Sequence, residues 1–161
     1  MEKQRTIELL KMTPLVAELT EEEVDTLAGV ASTRTLGDGD ILLREGETDN
    51  SLHCLVAGKM AVEKYAAGPE PVTLHILQKG DLAGELGFVD GREHTATLRS
   101  LGTSAVISIQ RERVESLLDN HSHLVYKIMR AVVRAGHAIV RRMNMQYVEL
   151  TNYITHSHGR Y

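Results

Sequence analysis

Between residues 31 and 109 the chain repeats short runs of alternating or β-branched residues, each closed by Gly, Asp or Pro. The runs are Leu52 to Val56, Met60 to Tyr65, Val72 to Leu77, Thr95 to Leu101 and Ala105 to Ile109. A period of two residues places one face of a strand inward and the other outward, so these runs predict strands. Ala66-Ala67-Gly68-Pro69-Glu70-Pro71 predicts a hairpin tip. Many short strands at fairly even spacing predict an all-β sandwich or barrel in this zone.

Helical periodicity flanks the strands. In residues 1–30, apolar positions recur at Ile7, Leu10, Leu15, Leu19, Val24 and Leu27, with a break at Pro14. Thr20-Glu21-Glu22-Glu23 predicts a capping box, in which Thr20 caps a second short helix and Glu23 reaches back to it. These helices read as a lid packed on the strands, with a partner-binding helix as the other reading. In residues 111–154, Arg111 to Leu118 predicts a short helix and His123 to about Ile154 a long one. Along the long helix Leu124, Ile128, Val132, Ala135, Ile139, Met143, Gln146 and Leu150 step by three or four. About 30 helical residues run roughly 45 Å, longer than a small roll can cover. The helix is therefore expected to dimerise the chain, against the alternative that it wraps wholly on its own domain. The expected organisation is one domain over 1–161, with an α+β architecture.

Composition narrows the function. With 42% hydrophobic and 25% charged residues the chain is an ordinary globular one, and at 4% aromatic its core must be aliphatic. No apolar run approaches the roughly 20 residues of a membrane span, and Met1 to Arg5 does not begin a secretory signal. The single cysteine, Cys54, sits in an apolar run as a small core residue, which suits a reducing cytoplasm. A net charge of −4 argues against a general grip on nucleic acid. Lys127, Arg130, Arg134 and Arg141 recur along one side of the long helix, where they read as a solvated face opposite the dimer seam, with a nucleic-acid or acidic-partner surface as the other reading.

Two separated motifs carry more. The first is Gly39-Asp40-Ile41-Leu42-Leu43-Arg44-Glu45-Gly46-Glu47, followed by Asp49-Asn50-Ser51-Leu52-His53-Cys54-Leu55-Val56-Ala57-Gly58-Lys59. The second is Gly80-Asp81-Leu82-Ala83-Gly84-Glu85-Leu86-Gly87-Phe88-Val89-Asp90-Gly91-Arg92-Glu93-His94-Thr95-Ala96-Thr97. As residues alone, Glu85 is a loop carboxylate and Thr95 a strand residue. Together the motifs resemble the cyclic nucleotide-binding domain family, the β-roll of catabolite-activator-type regulators, cyclic-nucleotide-dependent kinases and gated channels. The resemblance covers nearly the whole chain. It implies short N-terminal helices over 1–30, a jelly-roll-like antiparallel double sheet over 31–109 and C-terminal helices over 111–154. Within the roll, residues 80–97 are the phosphate-binding cassette.

The resemblance implies a regulatory domain without an enzymatic step, needing no cofactor, whose ligand is cAMP or cGMP. Gly46 and Gly58 are implied to be turn residues. Gly84, Glu85 and Leu86 would form the small-residue turn and helix start that approach the ligand, where backbone N–H groups favour an anion. Glu85 would accept from the ribose 2′-hydroxyl, and Thr95 and Ala96 would serve the phosphate. The base would meet the C-terminal helix, with Asn144, Gln146 and Tyr147 the polar residues placed nearest by rough alignment.

One position departs from the pattern. Where the family has an arginine that pairs with the cyclic phosphate, this chain has His94. Arginine offers a permanently charged planar fork, whereas histidine has a pKa of about 6.5 and is charged part of the time. Three readings follow. His94 partly replaces the arginine, with weak binding that strengthens as pH falls. Arg92, two residues away in an extended segment, takes over the phosphate. Or nucleotide binding is lost and the domain serves as a dimerisation or docking module; a different anionic ligand is a further option.

Other sites are not expected. His121-Ser122-His123 and His156-Ser157-His158 lack the strand context and neighbouring carboxylate of a cupin-like metal site, and no nucleophile–base constellation stands out. Thr151 to Tyr161 is too short for a helix-turn-helix, so direct DNA reading is not expected either.

Overall fold

The computed structural model describes residues 1–157. Helix α1 (Glu2–Lys11) ends ahead of a 3-10 turn at Pro14–Val16, where Pro14 begins the turn and cannot continue α1. Helix α2 (Glu21–Val30) starts with the full capping box: Glu23 N–H donates to Thr20 Oγ1 at 3.2 Å, and Thr20 N–H donates to Glu23 Oε2 at 2.8 Å.

Six strands follow: β1 (Ala31–Leu36), β2 (Ile41–Leu43), β3 (Ser51–Tyr65), β4 (Pro71–Leu77), β5 (Leu82–Ala83) and β6 (Thr97–Gln110). All pairings are antiparallel, in the order β1-β6-β3-β4, with β2 on β6 and β5 on β3. The pairs form one continuous hydrogen-bonded network, which makes the β-roll of an α+β fold. Leu52 to Val56 and Met60 to Tyr65, separate strands by sequence, are two halves of β3. Gly58 joins them: its φ is +82°, and a Cβ there would lie 2.4 Å from the Thr103 carbonyl oxygen. The residue read as a turn instead lets two strands cross at close range.

Short helices α3 (Glu85–Asp90) and α4 (Arg111–Glu115) flank β6, and α5 spans Ser122–Ser157. Two aliphatic clusters hold the fold. One, with Leu10, Leu15, Val24, Leu27, Phe88, Ile107, Leu124 and Ile128, seals α1, α2, α3 and the first half of α5 to the roll. The other, with Leu36, Leu43, Met60, Leu77, Ala83 and Leu98, joins strands of the roll. Fully burying an aliphatic side chain is worth about 1.5–3 kcal/mol, so both clusters are principal sources of stability.

The basic residues of α5 are mostly engaged. Lys127 Nζ lies 2.7 Å from Glu23 Oε2, Arg130 Nε lies 3.1 Å from Glu18 Oε2, and Arg134 also pairs with Glu18. The expected solvated face instead clamps α5 to the N-terminal helices, and these contacts hold both Glu18 and Glu23 below the usual carboxylate range. Beyond Val132 the buried stripe of α5 fades, and Val140, Met143, Tyr147, Leu150 and Tyr153 stand exposed. Among the described residues no helix is long and apolar enough to cross a membrane.

Candidate functional site

The turn from β5 into α3 positions the cassette. Gly84 has φ +72°, and a Cβ there would sit 2.8 Å from the Ser51 carbonyl oxygen, so only glycine lets this turn press against β3. Glu85, the first residue of α3, is only 7% exposed. Burial pushes its carboxyl above the usual range, opposed by its own backbone N–H and by the charge of His94. No other residue hydrogen-bonds it among the described residues. Leu86, by contrast, points outward from the same turn.

His94 is buried and turned into the protein. Its Nε2 lies 3.1 Å from Asp49 Oδ1, while Asp49 Oδ2 lies 2.7 Å from His53 Nε2. His53 Nδ1 in turn lies 2.7 Å from Ser108 Oγ. One carboxylate therefore bridges two buried imidazoles. Burial is the largest influence on Asp49 and pushes it up. The His53 hydrogen bond and charge, the Ser51 N–H and the charge of His94 together outweigh it, leaving the carboxyl below its usual value. Backbone bonds fix the pair: Gly46 N–H donates to the His94 carbonyl at 2.9 Å, and His94 N–H to the Glu47 carbonyl at 2.8 Å. Gly87 packs beside the His94 ring, and a Cβ there would meet the Arg92 carbonyl oxygen at 3.1 Å.

The remaining expected site residues divide. Ala96 is half-buried beside the cassette, and Thr95 is exposed, its carbonyl accepting from Lys64 Nζ at 2.8 Å. Lys64 also bonds Glu45 at 2.6 Å. Arg92 is not folded inward: its side chain is 85% exposed and its Nε lies 3.5 Å from Asp90. Asn144, Gln146 and Tyr147 all stand exposed, so the residues aligned with the base do not face the roll within one chain. Asp49, His53 and Lys64 were not picked out by sequence. The Asp49/His53 spacing was visible, but nothing local joined it to His94, 45 positions on.

Among the described residues no three His, Cys, Asp or Glu side chains gather as a metal site, and His158 lies outside those residues. Burial pushes the Cys54 thiol up to about 12, with Asp81 adding to the rise and Thr13 opposing it, so the thiol is inert at neutral pH.

A family model described as the cyclic nucleotide-binding domain matches residues 33–121, more than half of the chain. The chain belongs to the cyclic nucleotide-binding domain family. A cAMP-dependent protein kinase regulatory subunit of Dictyostelium discoideum is 24% identical over 113 residues, covering 68% of this chain and 35% of that protein. A cyclic AMP receptor protein of Thermus thermophilus is 26% identical over 109 residues, covering 68% of this chain and 50% of its own. The chain thus spans half or less of these relatives. Among solved structures, a cyclic nucleotide-binding domain from Methylobacillus flagellatus superposes with a TM-score of 0.80 at 20% identity, covering 91% of this chain and 83% of that one. That likeness speaks for the β-roll fold, and the family it joins is a regulatory one.

Proposed function

We propose that this domain is a sensor that binds a cyclic mononucleotide, cAMP or cGMP, weakly in its β-roll and relays occupancy through α5. The observation that carries the reading is Glu85. A carboxylate this buried, bonded only to its own backbone N–H, costs stability, and such a cost is retained where a ligand supplies a further donor. A ribose 2′-hydroxyl is such a donor, and the bond it makes to a carboxylate belongs to the stronger class. Gly84 and Leu86 flank that acid in the chain, Thr95 and Ala96 are the further cassette residues assigned to the phosphate, and the charge of His94 acts on Glu85. Weakness follows from the exchange of a fixed guanidinium for an imidazole already engaged by Asp49.

The relay is supported by the ion pairs that tie α5 to Glu18 and Glu23. Ligand shifts the helix only through unequal affinity for its two positions. Homodimerisation is supported by the far half of α5. Val133, Val140, Tyr147 and Ile154 recur every seven residues, and Met129, Gly136, Met143 and Leu150 follow each heptad start by three, beginning from Tyr126. That is the spacing of a coiled-coil seam, and most of these side chains are exposed in one chain. A cytoplasmic location fits the buried, unoxidised Cys54.

A second reading has its own observation. Because His94 is turned onto Asp49 and Arg92 lies in solvent, the fold can also serve as a dimerisation or interaction module that holds no nucleotide. Calorimetric titration of cAMP and of cGMP to millimolar concentration decides between the two. One-per-chain binding that E85A abolishes supports the sensor. Binding unchanged in E85A removes the site, and no binding of either nucleotide leaves the interaction module.

A further inference from the structure

His94 is held by one ring nitrogen and open at the other. Its Nε2 lies 3.1 Å from Asp49 Oδ1, and its side chain is only 6% exposed. The opposite edge fixes the ring's direction. Cε1 and Nδ1 lie 3.4 and 3.5 Å from where a Gly87 Cβ would stand, so this edge faces α3. Among the described residues Nδ1 meets no hydrogen-bonding group.

Asp49 is itself fixed. Its Oδ2 lies 2.7 Å from His53 Nε2, the far nitrogen of His53 lies 2.7 Å from Ser108 Oγ, and Ser51 N–H donates to Asp49 Oδ1 at 3.1 Å. The carboxyl lies below its usual range and is ionised at neutral pH. An ionised carboxylate only accepts, so His94 Nε2 carries a proton and Nδ1 of the neutral ring is a lone pair. A lone pair repels a phosphate oxygen. Only a second proton turns the edge facing α3 into a donor. A carboxylate behind an imidazole both sets its tautomer and stabilises the imidazolium.

The other titratable groups around the ring are few. His53 stands behind Asp49 with both nitrogens engaged, and Glu85 on α3 lies within the field of His94. Glu47 and Glu93 are exposed, Arg92 pairs with Asp90, and Lys64 pairs with Glu45. Among the described residues no lysine or arginine pairs into this cluster.

We infer that Asp49 is a positioning residue that makes His94 a proton-dependent stand-in for the family's arginine: nucleotide binding takes up one proton at His94 Nδ1, and that N–H donates to the cyclic phosphate. This rests on the nucleotide-binding reading above and adds its regulation. The ligand brings one negative charge and the proton one positive charge, so binding leaves the net charge of the site unchanged. A fixed guanidinium would hold the phosphate at any pH, whereas this arrangement makes occupancy report acidity as well as nucleotide. The complex holds one proton more than the free protein, so affinity rises as pH falls. It drops about tenfold per pH unit where the free ring is neutral. Glu85 acts oppositely at the acid end, because its protonation removes the charged acceptor for the ribose.

The test is calorimetric titration of the full chain with cAMP and with cGMP at pH 6 and pH 8. Each titration is run in two buffers of different ionisation enthalpy, which reads the protons taken up. The unaltered chain should take up about one proton per site at pH 8 and bind roughly ten- to a hundredfold more weakly there than at pH 6. H94R should take up none and bind alike at both. D49N should weaken binding at pH 8 by about tenfold and lower the proton uptake, yet cost nothing when combined with H94R. Binding without proton uptake in the unaltered chain overturns the inference and leaves the sensor reading standing. So does a D49N loss that is equally large in the H94R background, since Asp49 would then act through the fold alone. The unaltered chain and H94R decide the proton even where D49N fails to fold. If neither nucleotide binds at either pH, the sensor reading itself fails, and the inference falls with it.

Discussion

Asp49 holds His94 through Oδ1 and His53 through Oδ2, so one carboxylate fixes the cassette to the start of β3. Because the folded-state pKa of Asp49 lies below its ordinary value, ionised Asp49 stabilises the native state. That contribution is complete above the unfolded value of about 3.9 and is lost as pH falls through the lowered folded value. D49N should therefore destabilise the protein at pH 7 by about 1–2 kcal/mol, a figure discounted because a third of the side chain is exposed. In thermal melts of both proteins the difference should shrink as pH falls below the ordinary carboxylate value and through the lowered folded one. A gap that persists unchanged in acid would show that the bridge is not ionic.

Restoring arginine tests the phosphate end directly. H94R places a permanent charge where the chain holds the imidazole that Asp49 engages. A hydrogen bond to a charged group is worth about 1.5–3 kcal/mol, so cyclic nucleotide affinity should rise roughly ten- to over a hundredfold. Calorimetry of H94R beside the unaltered chain reads this. No gain would point to a phosphate held elsewhere, with Lys64 beside the Thr95 carbonyl the next residue to replace.

Glu85 makes an opposite pair of predictions. Its folded pKa is raised, so ionisation disfavours the native state. Stability should fall as pH rises from the unfolded value of about 4.3 through the raised folded value. E85Q removes that charge and should melt higher than the unaltered protein at pH 7. A gain of about 1 kcal/mol corresponds to roughly 2–4 °C. The advantage should close toward pH 4, while nucleotide affinity is lost at every pH. A variant that melts lower at pH 7 would mean that the carboxylate is stabilised by contacts of its own.

The parts legible in the sequence were those written locally. The Thr20/Glu23 capping box needs only four consecutive residues, and it forms with both bonds. The strand runs follow from alternation and an all-β zone from their number and spacing, while the β-roll was implied by the resemblance of the two motifs. Gly58 misled because glycine signals a turn, whereas here its missing Cβ admits the Thr103 carbonyl and one strand runs through. The site was legible only in part, because its connections are long-range. Nothing near His94 announces Asp49. Arg92 illustrates the same limit. Its position two residues from His94 suggested a shared face, but Gly91 ends α3 with φ +72° and Arg92 leaves toward Asp90.

The last prediction concerns the far half of α5. Val140 and Leu150 are exposed in one chain and lie on the proposed seam, one at a heptad start and one three residues after the next. Neither belongs to the buried clusters that hold the helix to its own roll. V140D with L150D should therefore leave the monomer's melting temperature at low concentration nearly unchanged, since exposed substitutions are usually within about 0.5 kcal/mol. The same pair would place like charges along a parallel seam and remove its apolar contact. Sedimentation equilibrium should show the unaltered chain at twice the monomer mass of 17.8 kDa and the double variant at the monomer mass. If both sediment alike as dimers, the seam lies elsewhere. If both are monomers, the exposed stripe does not pair two copies, and the relay through α5 must act within one chain.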